Sequence, residues 1–387
     1  MTSAPYLKAI LAKFKEERER REVSAAQIEE KLILGPGWIE RFERGDTVPT
    51  LDMLFAMLHI IGAKLDDIIK DVDVGEVPSE IARHLLAVPD GKDLKVHFGY
   101  GDFDATYRLQ NSTTHQFEEV IKALRDGLSR LATGGAGDDT ALKTDAVAKA
   151  FLLAAKKWPH ANPSDLWWFI IGRAYCDRFN HPATSARRDL EQSWKRTGGW
   201  ALEQVLVRHY APELAKHGIQ IVIGTSDEKK RYLQGLRGVN VRMEADKVDV
   251  LLLGPGKKGT QFFGVVHVKA SFAERRTDDV PMSQALVKAG YISPLWTMDS
   301  KSTPAEEPIN RGELGDVLNG VTDSRSAKRK DIEDDACFSA CFSYNRLTKP
   351  TPPSQKAKAH IVVCDFSNPD DEFSKFIVAG WQSFVHK

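Results

Sequence analysis

Two charged residues interrupt the most apolar stretch of the chain, KVDVLLLGPGKKGTQFFGVVHVKAS, with Asp249 near its start and Lys269 near its end. The runs VDVLLLG and FFGVVHVKAS are rich in Val, Leu and Phe, and GPGKKGT between them reads as a turn. The stretch is therefore expected to form an antiparallel hairpin with Asp249 and Lys269 on neighbouring strands. Burying either charge without a partner is costly. A bound metal, a substrate phosphate or a mutual ion pair can hold them there.

Upstream, SWKRTGGWALEQVLVRHYAPELAKHGIQIVIG reads as a helix carrying Glu203 that leads into a strand. Together with Asp249 and the His267-Val268-Lys269 tripeptide, this order resembles the core of the PD-(D/E)XK nuclease superfamily, over Ser193 to about Ser300. In that superfamily a helix with a glutamate precedes a β-meander bearing Asp and then x-x-Lys. Within the span, SWKR…GGWALEQ and HVKASFAERRTDDVP are similar to type II restriction endonucleases of the ApaLI-like group.

The resemblance implies hydrolysis of DNA phosphodiesters with Mg²⁺, a hard ion that prefers oxygen ligands. Asp249 and Glu203 would be its ligands, and Lys269 would orient or help deprotonate the water and stabilise charge on the phosphate. His267 stands where the superfamily has Asp or Glu. A neutral imidazole is a poor ligand for Mg²⁺, so either the backbone carbonyl near Val268 completes the site or a carboxylate moves in, with Glu244, Asp246 and Glu274 as candidates. The catalytic set is thus Asp249, Lys269, Glu203 and His267, and the metal set Asp249, Glu203 and Val268.

Several elements must position these groups. From about Lys143 onward, helical patterns cover TDAVAKAFLLAAKKW, DLWWFIIGRAYCDRF and GGWALEQVLVRHYAPELAKH. Strands follow at GIQIVIG, VDVLLLG, FFGVVHVKA, SPLWTMD and AHIVVCDF, an order that suits an α/β sheet flanked by helices. The nuclease resemblance makes that sheet mixed. KSTPAEEP, SRSAKRKDIEDD and TKPTPPSQKAK read as surface loops, and Asp278-Asp279 and Asp334-Asp335 as solvated charge. Before this region, KVHFGYGDFDATYRL reads as a hairpin and NSTTHQFEEVIKALRDGL as a capped amphipathic helix; TGGAGDDT reads as a flexible linker. Three domains are expected: 1–75, 76–142 as a connecting region, and 143–387 as the catalytic domain.

The first seventy residues repeat apolar positions at helical spacing. SAAQIEEKLILGPGWIERFERGDTVPTL resembles the helix-turn-helix of the XRE or lambda-repressor-like family, with Ser24 as cap, Pro36 in the first turn of the third helix and an ERG-x-x-x-P-T-L tail. That family reads the major groove with the start of its recognition helix. Here the helix opens Gly35-Pro36-Gly37-Trp38, poor in donors, and residues 1 to 70 carry 11 Lys or Arg against 12 Asp or Glu. Contact with DNA through phosphates and shape, and reuse of the bundle for dimerisation or packing, both remain open. Trp38, Arg41 and Arg44 are its candidate DNA residues. In the larger domain the candidates are Arg187, Arg188, Lys195 and Arg196 beside Trp194, and Ser271, Arg275 and Arg276 beyond the catalytic strand.

Composition sets the outer bounds. Lys plus Arg (54) balance Asp plus Glu (54), so any anionic partner is met by a local patch. The four cysteines form no CxxC pair, the chain opens without an apolar signal core, and no apolar run approaches the ~20 residues of a membrane helix. A reduced, cytoplasmic protein is expected. With no GxGxxG or P-loop, no nucleotide cofactor is expected either. The reading is a sequence-specific, Mg²⁺-dependent endonuclease of double-stranded DNA, of restriction type. It is expected to act as a homodimer on a palindrome, because one site cuts one strand. Its rivals are a helix-turn-helix transcriptional regulator with an effector- or partner-binding carboxy-terminal domain, and a metal-independent base-removing enzyme.

Overall fold

A computed structural model describes the chain except residues 1–4, 48, 71, 73–83, 101–102, 134–138, 176–189, 235, 240–243, 257–258, 272–275, 301–309, 319–322 and 387. It divides into two compact units, Met1–Ala82 and Arg83–Lys387.

The first unit is a bundle of α1 (Pro5–Arg20), α2 (Ala25–Lys31), α3 (Trp38–Arg44), α4 (Leu51–Ile61) and α5 (Leu65–Ile69). Ser24 caps α2 in a reciprocal box with Gln27, and Thr50 caps α4. Pro36 falls ahead of α3 rather than inside it. Gly37 at φ 74° starts that helix in the left-handed region, where a side chain would be strained. Leu11, Phe14, Ile28, Phe42 and Leu58 meet in one small core.

The second unit opens with β1 (His84–Asp90), β2 (Asp93–Tyr100) and β3 (Phe103–Leu109), an antiparallel three-stranded sheet. The expected hairpin is its second half. β1 escaped notice because its Leu86 and Val88 are exposed, which blurs the alternation a strand should show. α6 (Thr114–Leu128), α7 (Asp139–Lys157), α8 (Pro163–Tyr175) and α9 (Leu190–Ala215) follow. α6 is capped by Thr113 and buries Phe117, Val120, Ile121, Leu124 and Leu128, one helical stripe. That stripe shares a core with Val96 and Tyr107 of the small sheet and Val147 and Phe151 of α7. The small sheet and α6 therefore belong to the same compact unit as the larger sheet.

The main sheet contains β4 (Gln220–Val222), β5 (Val250–Gly256), β6 (Gly259–Lys269), β7 (Leu295–Thr297), β8 (Cys341–Ser343) and β9 (Ile361–Val363), in that spatial order. The first three strands pair antiparallel and the rest parallel, so the sheet is mixed. Strand β6 carries both modes. Gly264 is needed where the change occurs, because a Cβ there would lie 2.2 Å from the Ile292 carbonyl oxygen. α10 (Ser226–Leu233), α11 (Arg276–Lys288), α12 (Ala327–Glu333) and α13 (Glu372–Val385) complete the unit. α12 falls in the polar run read as a loop. Its Arg329 and Glu333 are fully buried and paired at 2.8 Å, so charges that look solvated in sequence are internal.

The two faces of β5 and β6 belong to different cores. Val250, Leu252, Val266 and Val268 pack with Leu202, Val205 and Leu206 of α9, whereas Leu251, Leu253 and Val265 pack with Leu233 of α10 and Met282 and Leu286 of α11. No described helix is long and apolar enough to cross a membrane.

Candidate active site

Asp249 precedes β5 and Lys269 ends β6, so both lie at one end of the hairpin, where the strands part. The register pairs Val250 with Val266, which leaves Val268 beyond the ladder. Its N–H donates instead to Asp249 Oδ2 at 2.8 Å, and Lys269 Nζ reaches the same oxygen at 2.7 Å. In an antiparallel ladder the N–H and C=O of one residue point the same way. The Val268 carbonyl thus shares the edge that faces Asp249.

A residue read as solvated joins them. Asp279, on α11, is 1 % exposed and its Oδ2 lies 3.2 Å from Lys269 Nζ. The sequence hides it because TDDVP carries charges and a proline, signs of a loop. Only its distance from the hairpin, short enough for the next helix to fold back, pointed there. Burial alone would favour a neutral Lys269, but the Asp249 and Asp279 carboxylates outweigh it and hold the ammonium charged, its pKa above the ordinary lysine value. Two carboxylates thus share the Lys269 ammonium.

His267 is fully buried two residues before Lys269, on the same face of β6. Its Nε2 shares a hydrogen bond with Ser293 Oγ at 3.0 Å, and its ring packs against Phe338 at 5.2 Å. Burial pushes its pKa down to about 3, so the imidazole is neutral at physiological pH. Glu203 is 8 % exposed on α9, the helix that packs against the opposite face of the sheet. Glu244 and Asp246 are exposed around a short 3-10 turn, and Glu274 lies outside the described residues.

Among the candidate DNA residues, Arg187, Arg188 and Arg275 lie outside the described residues, as do the side chains of Lys195 and Arg276 on α9 and α11. Arg196 is exposed, and Ser271 Oγ donates to Glu313 Oε1 at 3.0 Å. In the first unit Trp38 is half-buried and stacks on Phe42 at 5.9 Å, so its ring serves the bundle core. Arg41 and Arg44 are exposed on α3, and Arg44 pairs with Asp46 at 2.9 Å.

An oxygen-donor metal suits this geometry: two buried carboxylates and a strand-end carbonyl are hard ligands. The imidazole of His267 turns its Nε2 to Ser293 instead.

Comparison with known proteins adds three findings. Residues 10–68 match a family model described as a helix-turn-helix domain. The type II restriction enzyme AgeI of Thalassovita gelatinovora is 40 % identical over 243 residues, 61 % of this chain and 83 % of that enzyme. The crystal structure of a specific AgeI–DNA complex matches with a TM-score of 0.60 and 33 % identity, covering 77 % of this chain and 99 % of that one.

Proposed function

The chain belongs to the family of the type II restriction enzyme AgeI and is a sequence-specific restriction endonuclease; we propose that it hydrolyses double-stranded DNA with Mg²⁺ at the Asp249, Lys269 and Asp279 cluster. The observation that carries this site is the second carboxylate, Asp279. Asp249 and Asp279 both reach the Lys269 ammonium, at 2.7 and 3.2 Å, beside the strand edge that carries the Val268 carbonyl, so hard oxygen ligands from two elements and a cation meet at one buried point.

The cluster reads as a PD-(D/E)XK variant in which the acid absent at His267 comes from α11 instead. Asp249 and Asp279 would hold the metal, with the Val268 carbonyl on the same edge and Glu203 entering from α9. When bound, Mg²⁺ supplies a polarised phosphate and a more acidic water. Lys269, held charged, orients that water and offsets negative charge developing on the phosphate. Asp249 also anchors the Val268 N–H, which fixes the strand end against which the scissile phosphate is placed. The ApaLI-like grouping has no support beyond the two stretches that carried it.

DNA engagement in this reading is shared. Cleavage in this reading belongs to the second unit, which carries Asp249, Lys269 and Asp279, and the helix-turn-helix adds affinity through exposed Arg41 and Arg44. Two copies acting on strands of opposite polarity would make the double-strand cut, which supports a homodimer on a palindrome.

Incubating the protein with plasmid DNA, with Mg²⁺ or with a chelator, tests the reading. Discrete fragments that need the metal and vanish in Asp249→Ala are expected. Metal-independent cleavage, or an active Asp249→Ala, would overturn it.

A further inference from the structure

The fully buried histidine beside the catalytic lysine has no acid-like role, yet its contacts are specific. Ser283 Oγ donates to Ser293 Oγ at 2.8 Å and contacts the Ser293 carbonyl at 3.3 Å, and Ser293 Oγ meets His267 Nε2 at 3.0 Å. Ser293 is itself fixed by its N–H, which donates to Ser339 Oγ at 2.9 Å. All three side chains of the chain are fully buried.

We propose that the His267–Ser293–Ser283 hydrogen-bond chain is a positioning device that sets α11, and through it Asp279, against the catalytic strand. The placement is the argument. Ser283 lies four residues after Asp279, one helical turn along the same face of α11. His267 lies two residues before Lys269 on the same face of β6. Strand and helix are therefore joined by two parallel links, Lys269 to Asp279 and His267 to Ser283 through Ser293. The second link is polar, directional and remote from solvent.

Pro281 explains why the helix needs it. A proline inside a helix removes one backbone hydrogen bond to the residue four before it, here Thr277. The turn that carries Asp279 thus loses part of its own scaffolding, and the anchor on the far side of the proline restores it. The imidazole is also the right group at position 267. A carboxylate there would place a third negative charge beside Asp249 and Asp279 with one lysine between them, whereas a neutral ring spans to Ser293 without adding charge.

The inference rests on Asp249 and Asp279 being the metal ligands, and its test separates the two. Mg²⁺ binding by titration calorimetry, and cleavage against Mg²⁺ concentration, are measured for wild type, Ser283→Ala, Ser293→Ala, Asp279→Asn and the double variants pairing each alanine with Asp279→Asn. Each alanine should raise the Mg²⁺ needed for half-maximal rate about tenfold, the size of one lost buried hydrogen bond, with the rate at saturating metal within about threefold of wild type. Ser283→Thr, which keeps the hydroxyl, should recover the wild-type requirement. In the Asp279→Asn background the alanines should have no further effect on it, because they act through that carboxylate. A defective Asp279→Asn with alanine variants at wild-type metal requirement, or alanine effects that simply multiply with it, overturns the positioning role while the site stands. An Asp279→Asn with unchanged metal dependence removes the site assignment and the inference together.

Discussion

Replacing Lys269 by Met leaves its aliphatic stem and removes its charge, and the geometry sets the size of the consequence. Nζ lies 2.7 Å from an Asp249 oxygen and 3.2 Å from an Asp279 oxygen, so those oxygens are no further apart than the two distances laid end to end. At that limit, ~6 Å, and an effective dielectric of about 20, two carboxylates repel by roughly 3 kcal/mol once the ammonium is gone. Metal-free Lys269→Met should therefore unfold at neutral pH with a free energy lower by about that amount, within the range for breaking a buried ion cluster. Mg²⁺ or Ca²⁺ should restore most of the loss by taking the place of the ammonium, and stabilise the variant more than wild type. Urea unfolding with and without metal measures both, beside plasmid cleavage, which should fall by at least about a hundredfold. A metal-free variant as stable as wild type, or one that gains no more from the ion, would refute the picture of two carboxylates sharing one cation.

Three other outcomes follow from separate features. His209, half-buried on α9, has its pKa pushed down to about 4, mainly by desolvation. Its unfolded form titrates near 6.5, so it contributes stability at neutral pH that is lost as pH falls through 6.5 toward 4. His209→Gln should flatten the fall in unfolding free energy between pH 7.5 and 5.5 by about 1 kcal/mol, read from urea melts at each pH. Arg329→Met removes one of the two guanidinium partners of the fully buried Glu333, leaving Arg325 at 3.0 Å, and should cost ~1–3 kcal/mol in the same assay. Removing residues 1–82 should leave Mg²⁺-dependent cleavage while lowering DNA affinity and flattening its dependence on salt, checked by titration binding at several ionic strengths.

The hairpin was legible because its signal is local: two apolar runs, a glycine-rich turn and two charges that such runs do not otherwise tolerate. The helix-turn-helix was legible for the same reason, its cap at Ser24 and its ERG-x-x-x-P-T-L tail being readable residue by residue. Asp279 was not. Its neighbours are polar, its helix contains Pro281, and its burial depends on α11 folding back over Lys269, which no window of sequence shows. Strands β7, β8 and β9 are three residues each, too short for a periodic pattern, and β8 escaped altogether. α12 failed in the opposite sense, since Arg329 and Glu333 satisfy each other inside the protein and look like surface charge outside it.

The mixed sheet also has a temporal side. Strands β4 to β6 form an antiparallel meander, and Asp249, Lys269 and Asp279 lie within it or on the helix directly after it, whereas β7 and β8 are parallel and separated by a long excursion through α12. Short-range pairings close cheaply and early, and parallel pairings across long loops close late. The charged end of the hairpin thus belongs to the part of the chain that can gather first, and the three-residue strands β7 to β9 dock onto an edge of β6 that is already in place. Amide hydrogens of β5 and β6 should then exchange with solvent more slowly than those of β9, the outermost strand, so the reacting groups rest on the most persistent part of the sheet.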